Sequence, residues 1–176
     1  MDAIAAQAEV SKRTVYDYYG DKRRLLLGVI EDAGEAALGT LRQLVEQYLS
    51  DEVASERAKG IEGAVAEFAA ALGSSLLVSS TYAAAVKLIA ENESLLPELE
   101  DHPLDKAQTH VLAERIAYFA RHDLLEVEDP TLAAEHFQAL TALRVLNAPL
   151  RRRAEPEHVR RIMVDGAQAF MRAYGR

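Results

Sequence analysis

The chain has 176 residues, of which 49% are apolar, and this suffices for one large domain or for a small head joined to a larger body. It contains no cysteine, which excludes disulfides and thiolate metal sites and leads us to expect a reducing, cytoplasmic environment. The formal net charge of −8 excludes a chain that is basic throughout, as many nucleic-acid-binding proteins are.

The charge is distributed unevenly along the chain. Residues 1–24 hold five basic and four acidic groups, a balance of +1, whereas the other 152 residues hold 15 basic and 24 acidic groups, a balance of −9. From Val10 to Arg24 the balance is +3. A basic tip on an acidic body is typical of a protein that touches phosphate at one end only, although ordinary surface charge would give the same balance.

Two short helices are predicted at the start of the chain. An apolar pattern from Asp2 to Ala8 is followed by a tight break at Glu9-Val10. Ser11 is then placed to cap a second helix, which mixes basic, hydroxyl and aromatic side chains as far as Tyr19. Many proteins use such a pair of helices to place the second one in the major groove of DNA.

Long helices are predicted in the next part of the chain. Asp21 can cap a helix whose apolar residues are spaced by threes and fours from Leu26 to Tyr48. After a polar connection, a second long helix is predicted from about Ile61 to Val78, and a shorter one from about Thr81 to Asn92. The segment from Leu95 to Asp101 is predicted to be a turn or a short helical piece.

The C-terminal part is predicted to contain further helices. One begins at Pro103 and ends near Asp123. Asp129-Pro130 supplies an N-cap followed by proline at the first helical position, and that helix is predicted to run to about Ala148. Glu155-Pro156 begins the last helix, which reaches Tyr174. No segment alternates apolar and polar residues as a half-buried strand would, so the predicted fold class is all-α.

The run from Phe68 to Val86 carries no charged residue. Its serines, threonine and glycine favour a buried helix followed by a break over a membrane span. Buried serines need partners, which could be backbone carbonyls, waters or a bound ligand. The segment could therefore line an apolar small-molecule site, or it could belong to a filled core in which the serines bond to their own helix. The candidate ligand-binding residues are Phe68, Leu72, Ser75, Ser79, Tyr82, Val86, His110, Tyr118 and Phe137.

The last two predicted helices each carry an apolar stripe. Gly166 and Ala167 lack bulk, so another helix could approach the last helix closely at that point. The two helices could meet their symmetry mates as a four-helix bundle, or they could pack only on their own chain. The candidate dimer-interface residues are Phe137, Leu140, Val159, Ile162, Met163, Gly166, Ala167, Phe170 and Tyr174.

Motifs for catalysis and metal binding are not found in the sequence. The five histidines are never spaced i, i+4, and there is no His-Glu-x-x-His helix. Neither a Gly-rich phosphate loop nor a Gly-x-Ser-x-Gly elbow occurs. The sequence therefore predicts no catalytic residue, no metal site and no cofactor, and we do not expect an enzyme.

The first helices closely resemble the DNA-binding signature of the tetracycline-repressor-like (TetR) transcriptional regulators. The resemblance rests on Ile4-Ala5, on residues 8–19, on Asp21-Lys22 and on Leu25-Leu26. It implies a homodimeric, usually repressing regulator that dimerises through its last two helices and holds an effector in its body. The implied partners are a double-stranded DNA operator, a second copy of the chain and an unknown small-molecule effector, with no membrane.

This resemblance gives each matching residue a physical role. Ser11 would cap the recognition helix and donate to a phosphate. Lys12 and Arg13 lie in its first turn, from which Arg13 could bond a guanine with two hydrogen bonds. Val15 and Tyr19 are predicted to face inward. The predicted DNA contacts are Ser11, Lys12, Arg13, Thr14, Tyr16, Asp17, Tyr18 and Lys22.

The resemblance also divides the chain and marks two departures from the family pattern. We predict a partial helix-turn-helix head over 1–24, continuing into a linking helix from Asp21, and a helical ligand-binding and dimerisation body over 25–176. The family usually has glycine where this chain has Glu9, because the turn favours a left-handed backbone, which costs a non-glycine residue about 1 kcal/mol.

The second departure concerns the helix that precedes Ile4 in the family and supplies the third wall of the head. This first helix is missing here, so we expect Met1 to be an internal methionine of a longer natural protein, or a start assigned late. We also expect fraying before Ser11. The alternative function is a dimeric helical small-molecule-binding protein whose head is too incomplete to hold DNA.

Overall fold

The computed structural model describes residues 1–52, 60–77, 84–85, 88–89, 91 and 103–176. Most of these residues are helical, and the described part of the chain contains no β-strand, which confirms the predicted all-α class. Helical backbone is present at 84–85, 88–89 and 91, within the helix predicted from 81 to 92. The rest of that predicted helix, and the turn predicted at 95–101, lie outside the described residues.

The first two helices form the predicted helix-turn-helix. Helix α1 spans Asp2–Gln7 and α2 spans Lys12–Tyr19. The Ser11 hydroxyl accepts a hydrogen bond from the Thr14 amide at 3.0 Å, which satisfies one of the free amides at the start of α2 and confirms the predicted N-cap. Between the helices, Glu9 has φ 54°, so the left-handed backbone expected at this position is present.

The core of this head is small. It is formed by Ala5, Val15 and Leu25, with Met1 packed against them. Ile4 and Val10, which the apolar pattern would place inside, are 39% and 43% exposed. The head therefore buries little apolar surface of its own.

Helix α3 spans Lys22–Leu49 and connects the head to the rest of the molecule. The Asp21 carboxylate accepts a hydrogen bond from the Arg24 amide at 2.9 Å and caps the helix as predicted. Its 28 residues make a helix of about 42 Å at 1.5 Å per residue. Leu25 at one end belongs to the head core, whereas Leu44 and Leu49 at the other end belong to the main core.

Helix α4 spans Gly60–Leu72 and continues into a π-helical turn over Gly73–Leu77, where the sequence predicted one α-helix to Val78. The Ser74 hydroxyl donates to the carbonyl of Ala70 at 3.0 Å, so this serine bonds to its own helix. A Cβ added to Gly73 would lie 2.7 Å from the Met163 side chain. The absence of a side chain at Gly73 therefore allows the last helix to pack closely there.

Helix α5 spans Pro103–Arg121, and α6 spans Pro130–Leu140. The Asp129 carboxylate accepts from the amides of Thr131 and Leu132, which confirms the N-cap predicted before Pro130. The single helix predicted as far as Ala148 is wrong. Instead, α6 ends at Leu140, the chain breaks at Thr141, and α7 over Ala142–Leu146 and α8 over Leu150–Arg153 follow.

The break at Thr141 has a local cause. Its buried hydroxyl donates to the carbonyl of Phe137 at 2.6 Å, a bond to the preceding turn that bends helices. Its backbone angles, φ −116° and ψ −89°, are outside the helical region. Beyond it, α9 spans Pro156–Tyr174 as predicted.

The main core lies where α9 packs against α4 and α6 while α5 packs against α3 and α6. Its largest fully buried side chains include Phe68, Phe119 and Phe170. At one end, Leu125 pairs with Gly175 as an isolated antiparallel bridge, and the Glu126 amide donates to the carbonyl of Tyr174 at 2.7 Å. Among the described helices, none has the length and apolar character needed to cross a membrane.

Candidate functional site

The side chains of α2 divide into one buried residue and an exposed face. Val15 is 6% exposed and anchors the helix in the head core. Arg13 and Asp17 lie on the opposite face, with side chains that are 88% and 70% exposed. All eight predicted DNA-contacting residues are exposed, and they share the surface formed by α2 and the start of α3. The helix thus presents basic, aromatic and hydroxyl groups together, as groove-reading helices do.

Two ion pairs hold the basic side chains of this surface. The Lys12 ammonium lies 2.8 Å from a carboxylate oxygen of Asp2, so α1 and α2 are connected at their first turns. This hydrogen bond raises the pKa of Lys12 and lowers the pKa of Asp2. Arg13 lies 3.6 Å from Asp17, one turn further along α2. Both pairs are exposed, so phosphate oxygens could replace the carboxylates at little cost.

The aromatic residues of α2 are more exposed than the sequence suggested. Tyr18 is 84% exposed, and its ring centre lies 5.5 Å from that of Tyr19. Tyr19, predicted to face inward, is 36% exposed and does not belong to the head core, so that prediction is wrong. Tyr19 rests beside Gly28, where an added Cβ would lie 3.7 Å from its ring. The small head core leaves the rest of this ring uncovered.

A second candidate site is an apolar cavity of about 20 Å³ inside the main core. It lies between the end of α3, helices α4, α5 and α6, and the C-terminal part of α9. Phe68 and Phe137, both predicted to bind ligand, meet there with ring centres 5.9 Å apart. The lining residues are Leu49, Val65, Phe68, Leu112, Arg115, Ile116, Phe119, Leu125, Phe137 and Phe170.

The other predicted ligand-binding residues are not brought to this cavity. His110 is directed outward, with a 72% exposed side chain 3.2 Å from Glu114. Ser75 is exposed, whereas Leu72 is buried in the core without lining the cavity. Tyr118 borders a surface groove between α3 and α5 instead. Ser79, Tyr82 and Val86 lie outside the described residues.

Arg115 lines the cavity and was not predicted from the sequence. Its side chain is only 15% exposed, and Nη1 donates to the Asp51 carboxylate at 2.6 Å. The guanidinium carbon lies 4.1 Å from the ring centre of Tyr118 and 4.4 Å from that of Phe119, a cation–π arrangement. The sequence feature that could have identified Arg115 is its spacing, because it falls in the buried stripe between Leu112 and Phe119.

These contacts perturb two neighbouring groups. The hydrogen bond from Arg115 holds the pKa of Asp51 below its usual value. Burial raises the pKa of Tyr118, and a hydrogen bond to Asp51 raises it further. At neutral pH, Asp51 is therefore an anion and Tyr118 a neutral phenol. The cluster connects Asp51, two residues beyond the end of α3, to α5.

The predicted dimer-interface residues require a correction. Seven of the nine are buried within a single chain, because their stripes face the main core and leave no side-chain surface for a partner. A Cβ added to Gly166 would lie 2.1 Å from the carbonyl oxygen of Leu140, so the helix that approaches Gly166 is α6 of the same chain. The buried seven are Phe137, Val159, Ile162, Met163, Gly166, Ala167 and Phe170.

The two remaining interface candidates, Leu140 and Tyr174, are partly exposed. The Tyr174 hydroxyl lies 2.5 Å from Nδ1 of His136, so its polar end is already bonded to α6.

Among the described residues, no group of three or more His, Cys, Asp or Glu side chains could hold a metal ion.

An exposed helix-turn-helix, connected by one long helix to a helical body with an apolar cavity, defines a class of one-component DNA-binding regulators. Residues 1–29 match the family model of the bacterial regulatory proteins of the TetR family. Residues 63–176 match the C-terminal domain of the AefR-like transcriptional repressors. The chain belongs to the TetR family and is a transcriptional regulator.

Two solved structures are similar to this chain. One is described as a TetR-family transcriptional regulator from Mesorhizobium loti MAFF303099, with 21% identity, a TM-score of 0.74, and coverage of 98% of this chain and 85% of that chain. The other is the flavonoid-responsive regulator FrrA, with 25% identity, a TM-score of 0.56, and coverage of 99% and 86%. The first likeness supports the fold alone. No curated protein matches the sequence.

Proposed function

We propose that this protein is a ligand-responsive repressor that binds operator DNA as a homodimer. The observation that carries the proposal is the continuity of α3. Leu25 near its start lies in the head core, and Leu49 at its end lines the apolar cavity. One helix therefore connects the DNA-binding surface to the wall of a potential ligand site, and any displacement of that wall is transmitted to the head.

On the DNA side, α2 enters the major groove. Arg13 reaches base edges from the first turn, and Lys12 exchanges Asp2 for a phosphate. Tyr16, Tyr18, Thr14 and Lys22 contact the backbone on either side. The solvent exposure of these side chains supports the assignment, as does the basic balance of this segment in an otherwise acidic chain.

A homodimer forms through the outward faces of the C-terminal helices rather than through their buried stripes. Beyond α3, the exposed large apolar side chains among the described residues are Leu132 and Leu143, at 46% and 50%. Arg161 and Asp165 are exposed on α9 and have opposite charges, which suits an interface in which the same patch occurs on both subunits. Family membership supports this arrangement.

The effector binds in the body and changes the spacing of the two heads. A ligand larger than the present cavity separates α5 from the end of α3, and α3 carries this displacement to α2. The loss of DNA-binding free energy is then at most the difference between the ligand's binding free energies for the displaced and the undisplaced state. The name of the related regulator FrrA, flavonoid-responsive, supports a response to small molecules in this chain as well.

DNA binding with and without ligand tests this proposal. Fluorescence anisotropy with labelled duplexes from the region upstream of the gene should give saturable binding at 50–100 mM salt, an ionic strength at which phosphate contacts are strong. Lys22→Ala should weaken binding to every duplex, and Arg13→Ala should relax base preference at one position. A ligand that binds tightly and leaves DNA affinity unchanged would refute the coupling.

The small head core favours a second candidate function, a dimeric ligand-binding protein that does not hold DNA. Ile4 and Val10 are exposed, and Lys12 and Arg13 are paired with carboxylates of the same head. A variant extended by a designed amphipathic helix before Met1 distinguishes the two. If only the extended chain binds DNA, the second candidate function is favoured for the original chain. If both chains bind DNA equally well, the second candidate function is excluded.

A further inference from the structure

Arg115 has two buried hydrogen-bond donors that no group in the described part of the chain satisfies. Nη1 is bonded to Asp51, but Nε and Nη2 are fully buried and have no partner among the described residues. A buried N–H group is nearly always bonded, and an unbonded one on a charged side chain is especially unfavourable. The fold thus maintains a cation in its core with part of its bonding capacity unused.

The two free donors lie on one edge of the guanidinium. Nε–H and the adjacent Nη2–H are roughly parallel in this planar group, and they match the two oxygens of a carboxylate. The remaining nitrogen, Nη1, is bonded to Asp51, and the rings of Tyr118 and Phe119 contact the guanidinium. The guanidinium is therefore fixed in orientation, which reduces the entropy that a two-point contact would cost.

The surroundings of Arg115 indicate the rest of the ligand. Every other residue that lines the adjacent cavity is aliphatic or aromatic, including Phe68, Phe137 and Phe170. A small inorganic anion would lose its water there and gain no apolar contact. A ligand with an apolar body would gain both the ion pair and the hydrophobic contact.

We propose that the cavity beside Arg115 binds an apolar carboxylic acid, with the carboxylate on the Nε–Nη2 edge and the hydrocarbon or aromatic part among the phenylalanines. The proposal rests on the ligand response proposed above and names the ligand class. The cavity of about 20 Å³ has room for little more than one water, which needs roughly 10–15 Å³, and neither donor is exposed to it at present. An organic acid must therefore move α5 away from the end of α3 before its carboxylate can reach the two donors.

Matched acids and amides test the charge requirement. The probes are benzoate, trans-cinnamate and octanoate, each compared with its neutral amide, with binding followed by isothermal titration calorimetry and by the melting temperature. At least one acid should bind tenfold or more tightly than its amide and should raise the melting temperature. If no acid binds more tightly than its amide, the proposal is overturned, and an ordered water then becomes the simplest partner of Arg115.

Variants of Arg115 test the position of the carboxylate. Arg115→Met should abolish the preference for acids, and Arg115→Lys should reduce it because the two-point contact is lost. Arg121→Met removes an exposed arginine from the same helix and should leave the preference intact. Helix content by circular dichroism checks that each variant folds. An acid preference that survives Arg115→Met would overturn the proposal.

The same probes separate this inference from the proposed function. An acid that binds through Arg115 and leaves DNA affinity unchanged would support the ligand class and refute the regulatory coupling. A neutral compound that binds in the body and releases DNA, with no effect of Arg115→Met, would support the coupling and overturn the ligand class.

Discussion

At the scale of single residues, two side chains depart from the conformation or the environment that is usual for their type. Glu9 has a positive φ without being glycine, and Arg115 places a cation in an apolar core. In each case the surrounding structure imposes the local arrangement. The free-energy cost at the single residue is small compared with the cost of unfolding the element that contains it. Such positions are where strain or function is concentrated.

The strain at Glu9 predicts a stabilising substitution. Glu9→Gly should raise the free energy of unfolding of the head by about 1 kcal/mol, since glycine adopts φ 54° without steric cost. Urea unfolding and the melting temperature measure the effect. Glu46→Gly, within the regular part of α3, is the control and should destabilise by about 1 kcal/mol. A lower stability of Glu9→Gly would mean that Glu9 is not left-handed in solution.

The ion pair between Asp51 and Arg115 predicts a pH dependence. The pKa of Asp51 is lowered in the folded protein, so its contribution to stability is present above the unfolded value near 3.8. That contribution is lost as the pH falls through the lower folded value. Asp51→Asn should therefore reduce stability at pH 6, and the difference from the wild type should vanish in strong acid.

Chemical denaturation from pH 2 to pH 7 measures this difference. Asp32→Asn, on the exposed side of α3, is the control for the loss of a carboxylate and should not produce the same convergence. A constant difference between Asp51→Asn and the wild type at all pH values would mean that Asp51 acts through packing rather than through its charge.

At the scale of elements, close approach decides which helix face is buried. The end of α6 lies directly against α9 at Gly166, and the break at Thr141 allows the chain to turn there. The sequence indicated that some helix approaches Gly166, and the structure identifies it as α6 of the same chain. The burial of the α9 stripe follows from this contact.

This contact predicts opposite effects of one substitution at two glycines. Gly166→Ala should destabilise the protein by about 3 kcal/mol, because the new methyl group would lie 2.1 Å from the carbonyl oxygen of Leu140. Gly39→Ala, also within a helix, meets no atom within 4 Å and should stabilise by up to about 1 kcal/mol. Urea unfolding of both variants tests this, and similar effects at both sites would contradict the close contact.

At the scale of the whole molecule, the surface of the body decides how two chains could meet. The buried stripes of α6 and α9 are used within one chain, so an interface must use the outward faces. The outward faces of α6 and α7 carry Leu132 and Leu143 among charged residues, a composition typical of an interface with a polar rim.

This arrangement predicts which substitutions separate the subunits. Leu132→Glu with Leu143→Glu should convert a dimer into a monomer, because each charge would be buried opposite its symmetry mate. Sedimentation velocity measures the mass. Val29→Glu, at a similarly exposed apolar position on α3, is the control and should leave the mass unchanged. A double variant that remains dimeric would place the interface elsewhere.

The sequence by itself determined most of the local structure. Ser11, Asp21 and Asp129 cap the helices they were predicted to cap, and Glu9 is left-handed, because these features depend on neighbours a few residues away. The helix-turn-helix and the family followed from the same short-range signals. The eight predicted DNA contacts are exposed together on one surface, and their binding to DNA stays a prediction.

Only the tertiary structure decided which apolar faces meet. The stripe from Val159 to Phe170 has the spacing of any buried helix face, and nothing local distinguishes a partner in the same chain from one in another. Arg115 was hidden for the same reason, since its position in a buried stripe is visible in the sequence, whereas its contacts with Asp51 and with the adjacent cavity depend on residues far away in the chain. Long-range packing sets these properties, and no local pattern in the sequence encodes it.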